Sequence, residues 1–256
     1  MPERRPLKFF IGLHQPSDCR HFKRSFVSVN RLWNRKRPFA VDDWIMDSGA
    51  FTEVTTHGGY RYPVDDYADQ IRRWAKNGNL LAAVAQDWMC EPFVLEKTGL
   101  TVADHQRLTI DRYDELLSYA PGAYIMPVLQ GFEPYEYVNH VEQYGGRLRV
   151  GQWVGVGSVC KRNASPDEVA SVLAALKDTR PDLKLHGFGL KLTSISNLSI
   201  SRRLHSADSM AWSYAARIEG RNGNDWREAD AYRIKVERLK GSIKCGWQPT
   251  LFPLSQ

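Results

Sequence analysis

The segment Leu80-Leu81-Ala82-Ala83-Val84-Ala85-Gln86-Asp87 is an unbroken apolar run that ends on an amide and a carboxylate. A strand buried on both faces reads this way, continuous rather than alternating, and such strands belong to parallel sheets. Runs of the same kind recur at Leu7–Leu13, Trp44–Gly49, Tyr124–Gly131, Trp153–Ser158, Leu185–Lys191 and Ala207–Ala211. Helical patterns lie between them. Tyr67, Ile71, Trp74 and Ala75 share a face that stops at Gly78, and Tyr113, Leu116, Leu117 and Ala120 form a stripe ending at Pro121. Ser165-Pro166-Asp167-Glu168 reads as a capping box before the stripe Val169, Val172, Leu173 and Leu176, and a further helix is expected over Asp230–Lys240. Strand and helix in alternation predict a parallel α/β sheet with crossover helices. At 256 residues a single domain over residues 1–256 folded as a TIM-like (β/α)8 barrel is favoured over an open sheet, because such barrels take about 250 residues. Seven strands are legible. The eighth is irregular or missing, and Ser242–Trp247 is its candidate.

Composition narrows the class. With 43% hydrophobic and 25% charged residues, the chain is neither disordered, collagenous nor a coiled coil. No run approaches the roughly 18 apolar residues of a membrane span, and Met1–Pro6 is not followed by the apolar core of a secretion signal. A soluble protein in the cytoplasm is expected, without a membrane partner. Lys and Arg number 35 and Asp and Glu 29, so the net charge is 35 − 29 = +6, which suits a polyanionic partner. Cys19, Cys90, Cys160 and Cys245 are dispersed, with no CxxC pair. Reduced thiols, no structural zinc and no cofactor are the expectation.

In a parallel barrel the active site lies at the carboxyl ends of the strands. At those ends stand Asp47-Ser48-Gly49, Gln86-Asp87, Gln130-Gly131, Gly155-Val156-Gly157-Ser158, Gly187-Phe188-Gly189 and Asp208-Ser209. A barrel brings them around one mouth, where three carboxylates, an amide and glycine-rich backbone suit a flat polar ligand. Asp47 and Asp87 also fit helix caps or turns, and Gln130 also fits a loop amide bonding main chain. Gly155-x-Gly157 lacks the rest of a dinucleotide fingerprint. Asp208 stands among Ala207, Met210 and Ala211, where a carboxylate is costly unless it is used.

These segments resemble the tRNA-guanine transglycosylase-like superfamily. Asp47-Ser48-Gly49-Ala50-Phe51 is similar to its DSGGFQ segment, and Pro127-Val128-Leu129-Gln130-Gly131 to its VQGG segment. Val154-Gly155-Val156-Gly157-Ser158 resembles the glycine-rich base-binding strand, and Ala207-Asp208-Ser209 the late nucleophile segment, all in the family's order. The resemblance covers roughly residues 44–215. The family's cysteine and histidine zinc cluster has no counterpart, and Trp212-Ser213-Tyr214 replaces the PTR after the nucleophile. The compact zinc-free form resembles the DpdA-like DNA-guanine transglycosylases of bacteriophages and bacterial modification islands. These insert a 7-deazaguanine into DNA.

The resemblance implies DNA and a free 7-deazaguanine base as partners, with Asp208 as the covalent nucleophile. Retention at C1′ calls for such a carboxylate. Asp47 is then the proton-handling carboxylate. Asp87 would accept from the guanine N1–H and exocyclic amine, while Gln130 and the Gly155–Gly157 amides would donate to O6. Ser48, Gly49, Gly131, Val156, Gly187 and Gly189 would shape the base site, with Phe51 or Met210 on the base faces. A base inside a duplex must be flipped out or met on a single strand, which demands grip on phosphates. Arg20, Lys23, Arg24, Arg31, Arg35, Lys36 and Arg37 crowd among Phe22, Phe26, Trp33 and Phe39, and Arg202 and Arg203 precede the nucleophile. The crowded stretch is a nucleic-acid contact in the first strand-to-helix connection, or else a solvated face. The rival functions are a transglycosylase acting on RNA, a small-substrate barrel hydrolase or sugar-phosphate enzyme, and a non-catalytic nucleic-acid-binding barrel.

Overall fold

Pro127 interrupts a strand at the one place where a missing N–H decides how the sheet closes. The structure, a computed structural model, describes residues 7–160 and 165–244. Its strands are β1 (Lys8–Gly12), β2 (Arg24–Ser28), β3 (Asp43–Asp47), β4 (Asn79–Val84), β5 (Ile125–Met126), β6 (Val128–Leu129), β7 (Trp153–Val156), β8 (Lys184–Gly187) and β9 (Leu204–Ser209). Every pairing is parallel, in the order β5-β4-β3-β2-β1-β9-β8-β7-β6. β5 and β6 are two halves of one stave split by Pro127, which has no amide to donate to a ladder. One half pairs with β4 and the other with β7, so nine strands make the eight staves of a TIM-like barrel.

The helices are α1 (Ala50–His57), α2 (Val64–Trp74), α3 (Pro92–Thr98), α4 (Val102–Ser118), α5 (Pro134–Tyr144), α6 (Pro166–Thr179), α7 (Leu192–Ser196), α8 (Leu198–Ser201), α9 (Ala211–Ile218) and α10 (Trp226–Lys244). The crossovers on either side of β2 carry only 3₁₀ turns, Pro16–His21 and Val29–Arg31. Among the described residues no helix is long and apolar enough to cross a membrane.

Two expectations are corrected here. Ser242–Lys244 is the end of α10 rather than a strand, and residues 245–247 lie outside the described residues. The stave missing from the sequence reading is β2, inside the basic stretch. Its residues Arg-Ser-Phe-Val-Ser alternate instead of running apolar, because Phe26 fills the barrel while Val27 faces the outer layer. α6 begins at Pro166 as its sequence predicts, but the Ser165 side chain makes no capping bond.

Side chains along a strand alternate between faces. Phe10, Phe26, Ile45, Ala82, Val84, Met126 and Val128 fill the lumen, with Phe188 and Trp153 packed against them. Phe9, Ile11, Val27, Trp44, Met46 and Ala83 face the helices. Buried tyrosines tie that helical layer to strand-end carbonyls: Tyr67 Oη donates to Val84 O (2.8 Å), Tyr137 Oη to Gly157 O (2.8 Å) and Tyr144 Oη to Val128 O (3.1 Å). Tyr137→Phe removes one such bond without opening a cavity. It should lower stability by about 1 kcal/mol, read as a lower denaturant midpoint at unchanged slope. An unchanged midpoint would show that the hydroxyl anchors nothing.

Candidate active site at the barrel mouth

Alternation decides which polar groups enter the mouth. Asp43, Ile45 and Asp47 share one face of β3, so the face that puts Ile45 in the lumen carries Asp47 to its carboxyl end. On β9 the outward Ala207 leaves Ser206 and Asp208 inward. The loop after β4 supplies Asp87, the turn after β6 supplies Gln130, and the turn after β7 supplies Ser158. Together they line one opening with two lobes. The inner lobe, about 300 Å³, is bounded by Asp87, Glu91, Gln130, Gly157, Ser158, Cys160, Phe188 and Gly189. The outer lobe, about 600 Å³, is bounded by Leu13, His14, Ser28, Asn30, Arg31, Gly49, Thr52, Ser213 and Arg217. Phe26, Asp47, Phe51, Asp208 and Met210 line both and mark the boundary.

The polar groups of the inner lobe form one linked network. Gln130 Nε2 donates to Asp87 Oδ2, and Ser48 Oγ approaches Asp87 Oδ1 at 3.5 Å. Gln130 Oε1 lies 2.8 Å from Ser158 Oγ, which also lies 2.9 Å from Glu91 Oε2 and accepts from the Cys90 amide at 2.9 Å. Ser158 holds this place in the left-handed region, φ +54°, where a non-glycine residue is strained. A Cβ on Gly157 would sit 2.2 Å from Gln130 Nε2, so glycine is what lets that amide lie across the strand end. Burial, and then the Asp47 carboxylate, push the Asp87 carboxyl up to about 7.

Asp208 is held from one side. Its Oδ1 accepts from the Gly189 amide (3.1 Å) and from His186 Nε2 (3.2 Å), which among the described residues leaves Oδ2 for a ligand. Trp153 Nε1 donates to Ser206 Oγ (2.7 Å), which stands 2.9 Å from His186 Nδ1. Each proton in this chain has an acceptor when Ser206 donates to Nδ1 and His186 is the Nε2–H tautomer. Asp47 reaches the cleft from β3 and accepts from the Gly49 amide at 3.1 Å. Burial, then the Asp208 carboxylate, raise its carboxyl to about 6. Gly49 sits at φ +77° with the Asn30 side chain 2.5 Å from where a Cβ would be. Two perturbed carboxyls beside a third in one cleft suit acid–base and nucleophilic work.

Of the residues singled out in the sequence, Asp47, Gly49, Phe51, Asp87, Gln130, Gly157, Gly189 and Asp208 line this opening. Ser48 acts through Asp87. Gly131, Gly155, Val156 and Gly187 are not among its lining residues. The Gly155 and Gly157 amides cannot serve a ligand as expected, because they donate to Pro127 O (2.8 Å) and Leu129 O (2.9 Å) within the barrel. A Cβ at Gly155 would lie 2.4 Å from the Phe188 ring, so this glycine makes room for lumen packing.

The basic stretch does not form one surface, because β2 runs through it from the amino end of the barrel to the mouth. Arg31 follows β2 and enters the outer lobe. Lys23 and Arg24 lie at its amino end, where Arg24 pairs with Asp43 at 3.8 Å. Arg20 lies on the 3₁₀ turn that leads there, donating to His21 Nε2. Arg35 donates to the Arg37 carbonyl at 2.9 Å and accepts from Arg73 in the last turn of α2. Arg35, Lys36 and Arg37 therefore stand toward the amino ends of β3 and β4, away from the mouth. Arg202 and Arg203 precede β9 at that same end.

His186, Glu91, His14 and Arg217 were not expected in the site. For His186 a signal exists: in Leu185-His186-Gly187-Phe188 it shares the inward alternate with Phe188. Arg217 and His14 come from the turns beyond the strands and carry none.

A family model described as DpdA, DeoxyPurine in DNA protein A, matches residues 6–227, which takes in every strand. No curated protein matches the chain.

Because the Asp87 carboxyl titrates near 7 in the fold and near 3.8 when free, it keeps its proton on folding across that window. Stability therefore falls as pH rises through it. Asp87→Asn removes this loss. The variant should gain on the wild type between pH 5 and pH 8 by up to about 3 kcal/mol, because only the roughly two pKa units from pH 5 to 7 are crossed at 1.36 kcal/mol per unit, read by denaturation at both pH values. A difference that does not change with pH would contradict the burial of this carboxyl.

Proposed function

The chain belongs to the DpdA family of DNA-guanine transglycosylases, and from that premise we propose that its mouth exchanges guanine in DNA for a free 7-deazaguanine base through a covalent aspartyl–nucleotide. One observation carries this reading: Asp208 and Asp47 stand on the wall shared by a small, largely apolar lobe with Asp87 and Gln130 in it and a larger cationic one. A nucleotide has the same order, with its sugar between base and phosphate.

In this reading the base enters the inner lobe. Ionised Asp87 accepts from N1–H and the exocyclic amine, and its carboxylate is held for that task by Gln130. Asp208 Oδ2 attacks C1′ on the face opposite the base, because Oδ1 is occupied by His186 and Gly189. The C1′–N9 bond breaks, its electron pair leaves with the guanine, and Asp47 supplies the proton that the departing base needs. After the bases trade places, Asp47 takes the N9 proton of the incoming 7-deazaguanine. That nitrogen attacks C1′ and releases the Asp208 carboxylate. Two inversions return the original configuration. A carboxyl titrating near 6 can both give and receive that proton near neutral pH.

Denaturing gels of the protein with guanine-containing DNA test the covalent step. Wild type should give a retarded band that is chased by added free base. Asp208→Asn should give none while still binding DNA, and its turnover should fall by several orders of magnitude, as when other covalent nucleophiles are removed. Asp47→Asn should slow the chase. A band that persists in Asp208→Asn would remove Asp208 from the mechanism.

A further inference from the structure

We propose that Arg31 and Arg217 in the outer lobe, anchored through His14 and Ser213, form the site for the phosphodiester next to the nucleotide whose base is exchanged. The proposal rests on the base-exchange reading for the occupant of the inner lobe. Its own evidence is the outer lobe.

Ser213, which is 1% exposed, organises the cluster. Its hydroxyl donates to Gly223 O at 2.7 Å, so both lone pairs remain for donors. Arg217 Nη2 fills one at 2.9 Å, with Nε on the Ser213 carbonyl at 3.2 Å, and His14 Nε2 fills the other at 2.7 Å. His14 is thereby the Nε2–H tautomer, and Nδ1 faces Arg31 Nη2 at 3.5 Å. Trp212 packs edge-on against the imidazole, with ring centroids 5.8 Å apart. Among the described residues neither Arg31 nor Arg217 is in an ion pair with a carboxylate.

Two guanidinium groups anchored on neutral partners, in a cavity of about 600 Å³, form a receptor for an anion. The carboxylates lining that cavity, Asp47 and Asp208, sit at its inner boundary, where the sugar belongs. A phosphodiester on the strand reaches the cationic wall while C1′ lies against Asp208. Of the basic residues in the N-terminal stretch, Arg31 is the one that lines this opening, and Arg217 joins it from α9.

The test is a cycle of protein and DNA changes read by fluorescence anisotropy. Single-stranded oligodeoxynucleotides with one guanine carry either ordinary linkages or one neutral methylphosphonate, 5′ or 3′ of that guanosine. One of the two neutral linkages should weaken wild-type binding roughly tenfold, about the size of a charge-assisted bond. Arg31→Ala should bind ordinary DNA comparably weakly, lose clearly less than the wild type to the neutral linkage, and show a salt slope lower by about 0.7. Arg217→Ala repeats the cycle, with circular dichroism to confirm its fold. Because Arg31 reaches out from a 3₁₀ turn, its variant keeps the measurement interpretable if Arg217→Ala does not fold.

Neutral linkages that leave wild-type affinity unchanged, or losses that simply add, would overturn the site. Coupling found with the matching oligoribonucleotide and absent from DNA would overturn its assignment to a DNA strand. Inorganic phosphate that competes equally against ordinary and neutral-linkage DNA would also overturn it. The readout is binding, so coupling that persists in a protein unable to exchange bases supports the phosphate site and removes only the chemistry. Exchange without coupling removes only the phosphate site.

Discussion

Taking a carboxylate out of water costs several kcal/mol unless protein donors replace the solvent, and this barrel does so for Asp47, Asp87 and Asp208 in a single mouth. The donors come from different staves. Asp208 from β9 depends on His186 of β8 and on Gly189 just beyond it. Asp87, after β4, depends on Gln130 after β6, on the far side of the Pro127 break. Asp47 is served by its own turn, through the left-handed Gly49. The Asp87–Gln130 pair in particular needs the split Pro127 stave to lie between β4 and β7, so the curling of the sheet into a nearly closed barrel and the toleration of that carboxyl go together. What the donors leave uncompensated remains as repulsion among the carboxyls, which adds to burial in holding Asp47 near 6 and Asp87 near 7.

The charge in the mouth is ordered in space. Carboxyls and amides gather in the inner lobe and at the boundary, while the cations gather in the outer lobe. A hydrolase acting on a small sugar would need the first group and not the second. A passive nucleic-acid binder would need the second and not the first. The DpdA match over residues 6–227 gives the family, one that acts on DNA.

Most of the barrel is legible in the sequence because buried parallel strands write themselves as apolar runs. Leu80–Asp87 and Trp153–Ser158 differ from β4 and β7 mainly at their ends. β2 was hidden for two physical reasons. Its alternation resembles a solvated segment, and its flanking crossovers carry 3₁₀ turns in place of the helices that announce a βα unit. The same concealment made Arg20–Arg37 read as one basic loop, although the strand within it sends Lys23 and Arg31 to opposite ends of the barrel. At the site, strand-end carboxylates were readable from position alone. For His186 the inward direction was readable but not its role, which exists only once β8 lies beside β9, and Arg217 depends on how α9 packs over the mouth.

Isotope exchange tests the central claim most directly. Unmodified DNA would be incubated with the protein and with free guanine carrying heavy nitrogen, then digested and analysed by nucleoside mass spectrometry. No 7-deazaguanine needs to be chosen, because guanine is its own exchange partner in the reverse sense of the reaction. The account predicts labelled deoxyguanosine from the wild type and none from Asp208→Asn. Unlabelled DNA with the wild type, alongside label in RNA treated in the same way, would contradict it.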